Sequence, residues 1–343
     1  MIQYYNILLI DPWIPVWPKD FFWRYMKEFK TLDEQINLLR QRGLVIKDEP
    51  FAINKLKEDN YYSIINGYKD LFIDDKNNNI FKSNVTFEEI YSLFEFDRNI
   101  KSIFLKNILV VENILRTLIA YNFSEKYGND NYLTLDNFET LKNSGCSNKK
   151  YQERIEQIQK LICNLQQDIS NNIRKKQYIK HYVLNYGFVP LWVLVNAISL
   201  GRLSQFYSLM DQSIRVKVSK HWKIKEDDLD QFIKNLSYFR NLCAHDERLY
   251  NSKNNQNIPD TIYHNKLNII RKNGNYINGK NDLLSLIIVL KILLPHNKFN
   301  TMCNQIEGRI KSIEKNIKSI SVIEVFESMG FIKDWIDIKK MSQ

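Results

Sequence analysis

"TFEEIYSLFEFDRNIKSIFLKNILVVENILRTLIAYNFSEKYG", residues 86–128, reads as one long helix. Thr86 and Glu89 make a capping box, in which the threonine side chain accepts from the N–H three residues on and the glutamate reaches back to the threonine N–H. Behind the cap, Phe87, Ile90, Phe94, Ile100, Phe104, Ile108, Leu115 and Leu118 mark one apolar side as far as about Lys126. Asp97 interrupts that side and marks a candidate break. Composition points the same way: 10 Gly and 7 Pro in 343 residues are few for an all-β fold, which needs many tight turns. The expected fold class is all-α.

Upstream, "TLDEQINLLRQRG" carries a second capping box, Thr31 with Glu34, and Gly43 as its stop. Pro50 opens a short helix to about Lys57, and "NYYSIINGY" (60–68) follows as a compact aromatic turn. Downstream, Ile155, Ile158, Ile162, Leu165 and Ile169 alternate by three and four, an amphipathic helix of about two heptads, too short for a coiled coil. "PLWVLVNAISLGRLSQFYSLM" (190–210) starts a mostly core helix at Pro190. After Asn251 come a polar loop, an Asn273-Gly274 turn, an apolar helix and a basic helical tail. The chain divides into an N-terminal arm (1–30), a helical core (31–255) and a C-terminal loop with helices packing on that core (256–343). No repeat period is visible.

Hydrophobic residues make up 44% of the chain, enough for a large core, and the length suits one large or two modest domains. The net charge of +10 and isoelectric point near 9.1 suit a polyanionic partner, or simply a lysine-rich proteome. Cys146, Cys163, Cys243 and Cys303 are scattered without a CxxC pair, which fits a reducing cytoplasm rather than a disulfide or metal framework. The apolar opening "MIQYYNILLIDPWIPVWPKDFFW" lacks a basic leader and meets Asp11 and three prolines early, so it makes a poor signal peptide. "LLSLIIVLKILL" (283–294) contains Lys291 and falls short of the ~20 residues that a membrane span needs. It reads as a buried helix, and no membrane partner is expected.

The chemistry concentrates in "YFRNLCAHDERLYN" (238–251). The preceding helix opens on "EDDLDQF", acidic residues where the helix dipole favours them. With Leu229 at zero on a 100° wheel, Ile233 falls at about 40°, Leu236 at about −20°, Cys243 at about −40° and Arg240 at about 20°. Arg240 therefore stands inside the buried stripe. An unpaired buried guanidinium is costly, so either it has a partner or that face opens into a cleft or interface. Asn241 and His245 share another face, and His245 converges with Arg240 only if the helix ends or bends near Ala244. Taken alone, these residues also suit a structural arginine paired to a carboxylate and a surface histidine.

"RNLCAH" fits the R-x4-6-H pattern of HEPN ribonucleases, and "LSYFRNLCAHDERLYN" resembles the signature of the abortive-infection (Abi) family, the AbiD/AbiF-like phage-resistance proteins. "TLDEQINLLRQRGLVI", "NYYSIINGY", the 86–128 stretch and "IKHYVLNYGFVPLWVLVNAISLGRLSQFYSLM" resemble further family segments in the same order. The resemblance runs from about Thr31 to Leu294. It implies an all-α, HEPN-like helical bundle with additional N- and C-terminal helices. It also implies a metal-independent endoribonuclease toxin of anti-phage abortive infection. His245 would then be the general acid/base, Arg240 the clamp on transition-state charge, and Asn241 the group orienting histidine or phosphate. A neutral imidazole suits proton transfer at pH 7, and a guanidinium offers forked donors to phosphate oxygens. In the family two such motifs meet between two modules; with one motif here, a homodimer is implied. Where relatives often carry a second histidine, this chain has Asp246. Two alternatives stay open: an RNA-binding module that holds a cognate small RNA without cutting it, and a nucleotidyl-modification toxin.

RNA contacts are expected from Arg116, from the basic and aromatic run Arg174, Lys175, Lys176, Tyr178 and Lys180, and from Arg248. Basic residues between aromatics suit a nucleic-acid surface, although a solvated helix end has the same composition. Arg116 stands four residues after Glu112, which also suits a structural ion pair. Arg248 and Tyr250 equally suit an anchor after the helix. His181, His221, His264 and His296 have no ligand-like spacing, and neither GxGxxG nor GxxxxGK[ST] occurs. No metal and no other cofactor is expected.

Overall fold

A computed structural model describes residues 28–142 and 144–341. The apolar opening stretch, and with it most of the 1–30 arm, lies outside the described residues. The fold is all-α, with two-stranded hairpins as its only sheets among the described residues.

Helix α1 (Leu32–Gln41) has the Thr31/Glu34 capping box in place and stops at Gly43, whose φ of +84° is the left-handed conformation that glycine adopts without strain. The next residues run onto the start of the long helix: Val45 donates to Val85 O at 2.9 Å and accepts from Phe87 N at 2.9 Å. Helix α2 (Glu49–Asp59) is capped by Asp48 and has Pro50 in its first turn. The aromatic turn is a short π-helical segment, Tyr62–Asn66, and a small hairpin follows, β1 (Ile73–Asp75) with β2 (Ile80–Phe81).

Helix α3 (Phe87–Tyr127) runs 41 residues without a break. The expected break at Asp97 is absent because the carboxylate is fully buried and satisfied from elsewhere. It accepts from Tyr68 Oη at 2.6 Å, Leu249 N at 3.0 Å and Tyr250 N at 2.7 Å. An inward aspartate with three donors need not compete for the helix backbone. At the start of α3, the capping-box residue Glu89 also accepts from Lys318 N at 2.6 Å and Ser319 N at 2.7 Å. Burial opposes its charged form, yet these backbone donors and that of Thr86 hold its carboxyl below the usual range.

Helix α4 (Asn148–Asn172) buries Ile158, Leu161, Ile162 and Leu165, and α5 (Gln177–Tyr186) follows a short turn. The segment read as one helix from Pro190 splits into α6 (Leu191–Leu194) and α7 (Leu200–Leu209). Ser199 explains the split: its hydroxyl accepts from Arg202 N at 3.2 Å, a cap that serine favours over a helix interior. After α8 (Gln212–Ser219) comes α9 (Glu226–Ala244), which packs on α3, α7 and α8.

The C-terminal part has a short α10 (Ile262–Lys266) and a hairpin of β3 (Arg271–Lys272) and β4 (Asn275–Tyr276). Asn273 and Gly274 turn that hairpin with positive φ, as a two-residue primed turn requires. The apolar run becomes α11 (Leu283–Leu293), buried at every position except Ile292. Asn235 of α9 donates to Ser285 Oγ at 3.0 Å and ties α11 to the helix that carries the motif. No helix among the described residues is long and apolar enough to cross a membrane. Helix α12 (His296–Asn316) lies along α3 in the most extensive helix pairing of the described fold, and α13 (Val322–Met329) follows.

Candidate active site at the C-terminus of α9

Helix α9 buries the stripe that its sequence defines: Leu229, Ile233, Leu236 and Cys243 all lie in the core. Its first turn, Glu226, Asp227 and Asp228, puts acids at the positive end of the dipole, and no side chain caps it. Arg240, in the middle of the stripe, is half-buried with its side chain 27% exposed. Its partner is Glu112 of α3, which is 1% exposed; Nε stands 3.6 Å from Oε2, an ion pair too long for a hydrogen bond. Glu112 gives its other oxygen to Arg116, whose Nη2 also donates to Ile198 O at 3.0 Å. One buried carboxylate thus serves two guanidinium groups. The Nη atoms of Arg240 make no hydrogen bond among the described residues.

The end of α9 leaves His245 in helical register, about 140° round the axis from Arg240. Ala244 is its last residue and His245 the cap, whose N–H still donates to Asn241 O at 3.0 Å. Asn241 and His245 are both exposed. Asp246 then turns the chain with a φ of +54°, a conformation aspartate tolerates better than most residues. Its carboxylate accepts from Lys101 Nζ at 2.6 Å, and the same ammonium lies 3.7 Å from Asp97. Asp246 is therefore a tether to α3.

The following residues are pinned as firmly. Leu249 and Tyr250 donate their N–H groups to Asp97, and the Tyr250 ring stacks on Tyr68 at 5.7 Å between centroids. Burial pushes the Asp97 carboxyl above its ordinary range, against the pull of Tyr68, the Leu249 and Tyr250 amides and Lys101. Arg248 donates to Gly67 O at 2.7 Å and to Asp70 at 3.0 Å, so the anchoring role is the one its contacts describe. Burial pushes the Cys243 thiol, one turn before these tethers, up to about 12, so it supplies no thiolate.

Arg116 pairs with Glu112, the structural ion pair its spacing suits, and it also lines an open groove of about 620 Å³ between α3 and α6. The basic run lies at the turn from α4 into α5. Arg174, Lys175 and Lys180 are exposed, and Lys176 Nζ stands 5.6 Å from the Tyr178 ring centroid. Tyr178 Oη donates to Asn196 O at 3.2 Å, which joins this run to the rim of the Arg116 groove. Reading the sequence alone missed three things: Glu112 as partner of Arg240, the tether from Asp246 to Lys101, and the groove with its exposed Trp192. Only the Glu112/Arg116 spacing gave a local signal. Among the described residues no group of three or more His, Cys, Asp or Glu side chains could hold a metal ion.

The fold and site define an all-α protein with a single Arg-Asn-x3-His motif at the end of a core helix, its arginine tethered by a buried glutamate. Residues 54–251, more than half of the chain, match the family model of the Abi-like proteins, and the chain belongs to that family. Membership points to abortive-infection defence against phage. The match ends directly after the motif and is narrower than the resemblance from Thr31 to Leu294. Neither the curated proteins nor the solved structures gave a match.

Proposed function

We propose that this chain is a metal-independent HEPN-type endoribonuclease of the AbiD/AbiF kind that arrests growth after infection. The observation that carries the proposal is Arg240: a guanidinium whose Nε faces buried Glu112 and whose Nη atoms make no hydrogen bond among the described residues, five residues before an exposed histidine at the end of the same helix. RNA brings its own nucleophile. The ribose 2′-OH attacks the adjacent phosphorus, and the 5′-oxygen of the next nucleotide leaves. His245 moves a proton at one of these oxygens, Arg240 stabilises charge on the non-bridging oxygens, and Asn241, on the same exposed face, orients imidazole or phosphate. Cleavage of a labelled RNA pool is expected to persist in EDTA and to leave a 2′,3′-cyclic phosphate. Strict dependence on magnesium or manganese would rule out this mechanism. RNA retained intact by the purified protein, together with a single co-purifying small RNA, would favour the binding module instead.

One histidine does not easily serve both the attacking and the leaving oxygen. The proposal therefore includes a homodimer in which the motif meets its own copy across a two-fold axis. Such an interface is expected to bury at least about 1,000 Å² in total. Solution mass, measured with and without RNA, should be that of two chains. An active protein that stays monomeric under both conditions would refute the composite cleft.

A further inference from the structure

The groove beside the motif has walls that neither the ion pairs nor the core explain. Tyr121 on α3 is 65% exposed and Trp192 on α6 is 48% exposed, although most aromatic rings among the described residues are buried. Ala120 and Val195 are the buried apolar residues of its lining, Arg116 and Asn196 lie towards the motif, where Arg116 bonds Ile198 O, and Trp192 and Glu125 lie towards the other end of the groove. A volume of about 620 Å³ falls within the roughly 300–1,000 Å³ typical of ligand pockets. The end towards the motif is flanked by positive charge on two sides, while Glu125 towards the other end is paired with Lys217. On one side Arg116 shares Glu112 with Arg240, so two cations meet one carboxylate. On the other, Tyr178 bonds Asn196 and lies under Lys176, beside the exposed Arg174, Lys175 and Lys180. None of those four cations has an ion-pair partner among the described residues. Exposed aromatic walls beside a mouth flanked by cations match the chemistry of a nucleotide, a planar base joined to a backbone with a phosphate on each side.

We infer that this groove is a binding site for an unstacked base of single-stranded RNA, held between Tyr121 and Trp192, with the flanking phosphates on Arg116 and on the basic turn around Lys176. The inference rests on RNA as the partner of the motif. It adds Tyr121, Trp192 and Asn196 as contact residues and gives the strand a direction of travel, from the α4–α5 turn to the end of α9. A duplex keeps its bases stacked and cannot fill the groove, so the site selects loops and single strands.

The test uses full-length His245→Ala protein, which is expected to bind without cutting, and a fluorescein-labelled 12-nucleotide RNA of mixed sequence. Stacking on one aromatic residue is typically worth about a 5- to 150-fold change in affinity. Tyr121→Ala and Trp192→Ala should each weaken binding about tenfold without changing its dependence on salt, and Trp192→Phe should retain most of it. Lys176→Ala should weaken binding and lower the salt slope by about one, because it removes a phosphate contact. Unlabelled single strands should compete, and a blunt RNA duplex should not. If the parent binds RNA and the two aromatic variants bind it equally well, the groove assignment is wrong while the RNA reading stands. If the parent binds no RNA, both fall. If Trp192→Ala instead converts a dimer to a monomer, the groove belongs to a second copy and the inference is overturned.

Discussion

Alanine at His245 is expected to cut the rate of RNA cleavage by at least about 10²-fold, the lower end of what positioned proton transfer supplies. Alanine at Arg240 should cost a further ~10²–10³-fold of the same kind as loss of an oxyanion donor. His245 is exposed and, among the described residues, hydrogen-bonds only through its backbone, so its replacement should leave the fold unaltered. Replacing Arg240 leaves Glu112 paired to Arg116 rather than stranded, which keeps the cost in stability small. Arg240→Lys should not restore activity, because an ammonium lacks the planar fork that spans two phosphate oxygens. Growth arrest should disappear in parallel with cleavage. Purified His245→Ala protein that still cuts within tenfold of the parent rate would remove histidine from the mechanism.

Asp97→Ala should be the most damaging single substitution for stability around the site. It leaves the Leu249 and Tyr250 amides and the Tyr68 hydroxyl without an acceptor in the core, and it takes one of two carboxylates from Lys101. Each of the three orphaned donors costs about 1–3 kcal/mol, while Lys101 keeps Asp246 as its partner, so a total loss near 5 kcal/mol is expected. Tyr68→Phe removes one hydrogen bond and should cost about 1 kcal/mol. Urea unfolding followed by circular dichroism measures both. An Asp97→Ala midpoint no lower than that of Tyr68→Phe would mean that the tether has been misread. Because Asp97 holds the chain after His245, the same variant should lose cleavage even under conditions where it remains folded.

The sequence conveyed those parts of the fold whose causes are local. Capping boxes, the stop at Gly43, Pro50 in a first turn and the Asn273-Gly274 hairpin all depend on residues within a few positions of one another, and each formed as read. Asp97 was misread as a break because two of its donors, Leu249 and Tyr250, lie 152 and 153 residues away along the chain. The wheel placed Arg240 in the buried stripe and required a partner or an opening, and the structure supplies the partner, Glu112. Periodicity could not name it, because Glu112 shows only its i, i+4 relation to Arg116 in the sequence. Trp192 sits in a run that reads as core, and only the split between α6 and α7 explains how it remains on the surface.

The unbroken α3 has a consequence for how this protein can vary. Asp97, Lys101, Glu112 and Arg116 are four fittings on one rod, and each engages the motif, its tether or the groove beside it. A helix converts residue count into angle and distance: from Asp97 to Glu112 is about 22 Å, and one inserted residue swings everything beyond it by about 100°. Side chains along α3 can therefore drift, so long as these four keep their chemistry. Its length between them cannot change. A deletion anywhere from 98 to 111 would leave every functional residue present and turn Glu112 away from Arg240. Relatives that preserve the reaction should differ in this helix by replacement, with gaps confined to the loops at its two ends.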